Sequence, residues 1–396
     1  MTESLHNTLL IDSQWPVFSI RYLFGILAVA LGAGIWKIRQ YHKARASRKV
    51  QASFSDNKLQ PITPLEGFDW EKTEPIQFRP FKGKEKYNLT MAIENLDPSE
   101  FLPIDKLYKD RIAVRKTLVQ QHHDVVIGVN HNETPQQDPR VRPAVSELYT
   151  YLLKTYLPAR YPTMFSLNAD GTMFHNLVTD EYWPTTVSPT TKTTRALEII
   201  AQTVEDDFLI LLPEVESEDG EVPKYVLQAY ATCFPSGFNS RKKLGLRLVD
   251  IHKPVPSYKE KMELSMDRFF SRLEVGKYVK RINWSVTIDA GLFAAFGGTH
   301  AMENGKKEDP IEAGKLDVDK TVLRCERQTL HRMPVSKAIV FTVHTYRYPI
   351  QQIKDEGLGE ELATAVEGLK KGNAPGMHFY KKGDVWGEAL KDFLRS

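Results

Sequence analysis

The clearest periodicity in the chain lies near its C-terminal end. Residues 338–348 alternate, with Ile339, Phe341 and Val343 on one side and Thr342, His344 and Tyr346 on the other, which is the period of two expected of a pleated strand. Residues 323–331 repeat the pattern and put Arg324, Glu326 and Gln328 on a shared side. A turn at Met333-Pro334 predicts a hairpin of the two runs. That hairpin is expected to gather a guanidinium, a carboxylate and an amide beside Tyr346 and so line a polar pocket. The competing use of such a face is a set of ion pairs turned to water. Further strands are predicted over 208–212, 225–234 and 283–289, with an acidic loop at 214–221 between the first two. Helical spacing of apolar residues predicts helices over 105–121, 194–204 and 258–273. It also predicts a helix over 143–156, opened by Pro143, carrying Val145, Leu148, Tyr149, Leu152, Leu153 and Tyr156 on one stripe, and stopped by Pro158.

Two strands, a helical insert and three more strands make an α+β chain whose element order is that of a PAS-like antiparallel sheet with flanking helices. Such a sheet receives a helix or a ligand on its concave face. Residues 297–317, rich in Gly, Asn and Lys, read as a loop between the third and fourth strands. The expected plan is a short tail over 1–16, an anchor over 17–36, and a basic then proline-rich linker over 37–85. A helical N-terminal part of the body follows over 86–205, and a sheet domain with C-terminal helices over 206–396. In the linker, Phe68, Trp70, Phe78 and Phe81 are the residues expected to hold it against the body.

The anchor is predicted from VFSIRYLFGILAVALGAGIW at 17–36, apolar except for Arg21 and a few hydroxyls, and close to the roughly 20 residues that span a hydrocarbon core. A cleaved targeting segment and a buried core helix are the competing readings. A signal peptide carries its positive charge ahead of the apolar run, whereas here Lys37, Arg39, Lys43, Arg45, Arg48 and Lys49 follow it. That order predicts a single-pass membrane protein with the body on the cytosolic side. The sequons at Asn88 and Asn132 supply a check, because they would be modified only on the lumenal side.

The formal net charge of the 396 residues is +3, and six basic residues next to the anchor account for the excess. The body therefore carries no basic stripe of the kind nucleic-acid binding needs. Two cysteines, Cys233 and Cys325, are too few for a disulfide framework or a four-thiolate metal site. No dinucleotide loop, phosphate-binding loop or flavin fingerprint is present.

Three segments carry more specific information: CFPSGF at 233–238, IHKPVP at 251–256, and RCERQTLHRMP at 324–334 running on to TVHTY. In this order, with Trp284 of INWSVTID between them, they resemble the alpha-subunit-like family of haem-dependent oxidative N-demethylases. The resemblance covers roughly residues 149–381. The chain departs from it at Met333, where relatives read Leu, and in its leader. It implies a PAS-like fold holding haem, and an oxygen-dependent oxidation of a small amine that releases formaldehyde. The absence of a CxxCH motif makes the haem a dissociable haem b. Electrons would come from a separate reductase.

An isolated histidine is ordinarily a satisfied core or surface group, but His252 sits between an aliphatic pair and a proline-locked segment that fixes its ring. The resemblance makes it the expected iron ligand, with Asp250 near enough to hold its other nitrogen and with His175 and His344 as alternates. Phe234, Phe238 and Trp284 are candidates to flank the macrocycle, or else plain core aromatics. Arg241, Lys242, Lys243 and Arg327 are candidates for the propionates. An amine arrives protonated, so a partly buried carboxylate is needed. Glu326, oriented by Gln328 and Tyr346, is the candidate catalytic group. A haem-binding sensor or carrier without turnover, and a haem-free scaffold, are the rival readings.

Overall fold

The computed structural model describes residues 60–214, 221–288, 291–301 and 308–396. The predicted anchor at 17–36, and the linker up to residue 59, lie outside these residues. Among the described residues no helix is long and apolar enough to cross a membrane. One compact unit runs from Asn57 to Ser396, and it is of the expected α+β class.

Ten strands are present: β1 (Glu94–Leu96), β2 (Ile127–Val129), β3 (Phe165–Leu167), β4 (Met173–Asn176), β5 (Glu181–Pro184), β6 (Asp207–Pro213), β7 (Tyr225–Ala231), β8 (Tyr278–Thr287), β9 (Val322–Arg332) and β10 (Ile339–Pro349). Seven form one sheet in the order β1-β8-β9-β10-β6-β7-β2, with every neighbouring pair antiparallel. The five strands expected from alternation are its centre. β1, β2 and the small separate sheet β3-β4-β5 were not expected, being three or four residues long and too short for a period to register.

The helices α1 (Tyr108–Gln121), α2 (Val141–Thr150), α3 (Thr193–Thr203), α4 (Glu263–Arg272), α5 (Gly359–Gly368) and α6 (Gly383–Arg395) surround the large sheet. Pro158 does not stop the helix that begins at Val141. The chain passes through a π-helical stretch, Tyr151–Tyr156, and continues helically to Arg160. The wider turn loosens the backbone where the proline removes a donor.

Because side chains alternate, the sheet has two distinct faces, and the helices divide between them. On the back face Phe208, Ile210, Leu212 and Val340 join α1, α2 and α3 in one apolar cluster, while Trp284, Leu323, Cys325, Tyr346 and Tyr348 join α5 and α6 in another. On the front face Leu211, Leu227, Val279, Leu330 and Ile339 meet the helices of residues 248–273. The proline-rich linker also contributes from residue 60 onward. Phe81 is fully buried, and Phe78 packs edge-on against Tyr346 at 5.2 Å.

The β9–β10 hairpin closes through Met333 N–H donating to Ala338 O, with Lys337 at a positive φ of 60°. Glu147 of α2 reaches this turn, and its two carboxylate oxygens accept the Val335 and Ser336 N–H groups at 2.7 Å each. Within the hairpin the Thr329 and Thr342 hydroxyls bond across the strands at 2.6 Å.

Candidate functional site

The front face is filled at one end only. At its centre Leu209, Phe341, Val343, Gln328, Arg281 and Asn283 are half-buried, although the residues beside them on the back face, Phe208, Thr329, Thr342 and His344, are buried. Central strands of a large sheet are ordinarily covered on both faces by packed side chains. Half-buried residues here mark a hollow, apolar on the β6–β10 side and polar on the β8–β9 side.

His252 stands within electrostatic reach of Arg281 on this face. A single helical turn, Leu248–Ile251, ends at it, and Pro254 and Pro256 stiffen the chain that follows. The imidazole stacks on Tyr258 with centroids 4.6 Å apart. Its Nδ1 lies 2.7 Å from Leu248 O. A carbonyl only accepts, so Nδ1 carries the proton and Nε2 keeps its lone pair. The backbone carbonyl takes the role expected for Asp250. Burial holds the ring neutral down to about pH 4, helped by the positive charge of Arg281 and Lys243. Lys243 itself donates to Ile251 O at 3.0 Å.

A second imidazole has the same arrangement and was not expected from the sequence. His300 Nδ1 bonds to Ser236 O at 3.0 Å, and its ring stacks on Tyr380 at 4.6 Å. Burial, then the nearby Lys381, keeps it neutral to about pH 4. The CFPSGF segment builds its seat. Ser236 bridges to Ala294, and Gly237 donates to Ala294 O. Gly237 has a φ of +78°, and a Cβ there would come within 2.9 Å of Thr299 and 3.0 Å of His300 Nδ1. Only glycine accepts both the conformation and the approach. The signal in the sequence was the Gly297-Gly298-Thr299-His300 run, read only as a loop.

Along β8 and β9 the register pairs Arg281 with Gln328, Asn283 with Glu326, and Ser285 with Arg324. Glu326 accepts from Gln328 Nε2 at 3.0 Å and Asn283 Nδ2 at 3.3 Å, and Arg324 Nε stands 3.8 Å away. Lys381, whose ammonium donates to Trp284 O, is held at about pH 8 by burial, against the pull of Glu326.

The structure therefore brings His252, Lys243, Glu326 and Gln328 to the front face, and leaves other candidates elsewhere. Tyr346 is not beside Glu326. Its register partner is Cys325, which places it on the back face: Glu326 and Tyr346 could share a face only across a turn with an odd number of residues, and the turn from Pro334 to Lys337 has four. A change of one residue in register exchanges the faces. Arg327 also points to the back and donates to Glu100 O and Phe101 O. Trp284 lies on the back with Phe81 and the Lys381 ammonium at its ring. Phe234 is core, with the Arg115 guanidinium over its ring at 5.2 Å. Phe238 is exposed. Arg241 is exposed and pairs with Asp124 at 3.1 Å.

Of the alternate histidines, His344 uses both nitrogens on the back, with Asp206 at 2.9 Å and Arg111 at 3.1 Å. His175 sits on the small sheet with Asp180. No group of three or more His, Cys, Asp or Glu able to hold a bare metal ion occurs among the described residues. A lone histidine is instead the donor set a macrocycle requires, because its four nitrogens complete the iron coordination.

A family model described as haem-dependent oxidative N-demethylase, alpha subunit-like, matches residues 92–391. That stretch contains every strand of the large sheet, both anchored histidines and the Glu326 cluster.

Proposed function

We propose, from the premise that the chain belongs to the haem-dependent oxidative N-demethylase alpha-subunit-like family, that its front face binds haem b through His252 and oxidatively demethylates a small amine. The observation that carries this reading is the His252 Nδ1 bond to Leu248 O, which leaves Nε2 as a free lone pair within electrostatic reach of half-buried Arg281. The antiparallel sheet with helices inserted between its second and third central strands supports the PAS-like description.

In this reading the haem, when bound, supplies oxygen activation and oxidation of the N-methyl group. The rest falls to the side chains. Leu209, Phe341 and Val343 exclude water from the apolar wall. Glu326, held by Gln328 and Asn283, attracts the protonated amine and takes its proton, exposing the nitrogen lone pair that oxidation requires. The chain carries no nucleotide or flavin motif, so a separate reductase delivers electrons, and formaldehyde leaves with the demethylated amine.

The test is an absorbance spectrum of the haem-loaded full chain, followed by formaldehyde assay with dimethylamine, oxygen and an added reductase. A Soret band that His252→Ala abolishes or shifts, and that His300→Ala preserves, is expected. The converse pattern would move the ligand to His300. A Soret band with no formaldehyde would leave a haem sensor or carrier, and a colourless preparation would remove haem altogether.

The leader is read as a single-pass anchor with the body in the cytosol. Asn88 and Asn132 are both exposed, so glycosidase-sensitive mass on either would reverse that orientation.

A further inference from the structure

Arg281 is a charged group without a partner. It lies on the front face of β8 opposite Gln328, half-buried, with its Nε enclosed and unbonded. No carboxylate of the described residues makes an ion pair with it, and burial depresses its guanidinium below the usual arginine range. The other large cations nearby are already engaged. Arg324 donates to Phe234 O at 2.7 Å and reaches the Gly291 and Leu292 carbonyls. Lys243 and Lys381 hold backbone carbonyls. A half-buried guanidinium left unpaired costs stability unless something anionic arrives. Its fork of five donors is shaped for a carboxylate.

We infer that Arg281 is the anchor for a carboxylate of the bound cofactor, presented on the front face next to His252. The inference rests on the haem reading above and deepens it: one imidazole would hold the metal while one guanidinium would hold a propionate. Arg281 does this work in place of Arg241 and Arg327, which the sequence suggested and which the fold engages elsewhere.

The experiment compares haem with haem dimethyl ester, which lacks carboxylates, by spectrophotometric titration of the apo full chain. The wild type is expected to prefer haem. Arg281→Gln should weaken haem binding about 10- to 100-fold, the span of one or two charge-assisted hydrogen bonds. It should leave the ester's affinity and the Soret position unchanged, so the preference collapses. Apo Arg281→Gln should also unfold at a higher temperature than apo wild type, since it removes an unpaired charge; a structural ion pair would give the opposite. Retained preference for haem in the variant overturns the assignment of Arg281 alone. Absence of any Soret band in the wild type overturns the haem reading with it.

Discussion

The two faces of the large sheet are built from the same strands and solve the burial of charge in opposite ways. On the front, the enclosed nitrogens without a hydrogen bond include the Nε of Arg281, of Arg347 and of Arg324, the last of which stands 3.8 Å from Glu326, beside two imidazoles that offer lone pairs. On the back, the enclosed atoms without a hydrogen bond include Asp206 Oδ1, the Tyr346 hydroxyl and both oxygens of Glu205, whose carboxylate stands 3.7 Å from Arg111 Nε. The back face is closed by helices, and there the relief is internal. His344 spans Asp206 and Arg111, Arg115 binds Asp207 at 2.7 Å and three backbone carbonyls, and Glu205 is driven by burial toward its neutral form. The front face is only half covered, and its excess is cationic, so solvent or an anionic ligand has access to it. An unpaired buried charge is met by a ligand where there is room and by a proton where there is none.

The largest effect is expected from breaking the closed side. Arg115→Met takes the counter-cation from buried Asp207, which keeps only the Cys233 and Phe234 amides, and the donor from three carbonyls, which should cost about 3–5 kcal/mol, read as a fall in the urea midpoint. Next comes Gly237→Ala, which sets a β-carbon against Thr299 in a left-handed backbone. A loss of about 1–3 kcal/mol is expected, and hydrogen exchange should show the 294–301 segment loosening while the back-face strands stay protected.

A smaller effect separates the faces by pH. Burial raises Glu205 from 4.5 to about 7, so between those values the folded state keeps a proton that the unfolded chain has released. The corresponding stability is full below 4.5 and lost as pH rises through 7. His252 behaves in reverse. Its pKa falls from 6.5 to about 4, so stability drops on acidification through that window as the unfolded chain takes up the proton. Glu205→Gln should remove the loss of thermal midpoint on raising the pH from 4.5 to 7, so that the opposing rise contributed by His252 dominates that window and the acid limb stays intact. A profile unchanged by the substitution would mean that Glu205 stays ionised. The smallest effect is expected of Tyr346→Phe. It removes an unbonded hydroxyl on the back face, and should shift stability by less than about 1 kcal/mol and leave haem titration unaltered. A weakened Soret band would show that the faces communicate.

How far the sequence could be read follows from the same geometry. Alternation within 323–331 and 338–348 located both strands and placed Glu326 with Gln328, because each strand's period is local. Which side of one strand meets which side of the next depends on the parity of the turn, and the step from Met333 to Ala338 put Thr345, not Tyr346, across from Glu326. The fixed orientation of His252 was legible in its flanking prolines. Its hydrogen-bond partner was not, since a backbone carbonyl leaves no side-chain signature. His300 and Arg281 were missed for a related reason. One lies in a glycine-rich loop that only the CFPSGF contact orders, and the other gains meaning only from the absence of a partner, which no sequence displays. The family resemblance drawn from the three ordered motifs holds over residues 92–391.

Glu147 gives the hairpin turn a consequence beyond closure. Its carboxylate clasps two amides of that turn from a helix seated across the sheet, so the strand pair bearing Glu326 is pinned at its far end by an element that never touches the hollow. A substitution that removed the carboxylate would strip both amides of their acceptor at once and set the turn free of the helix.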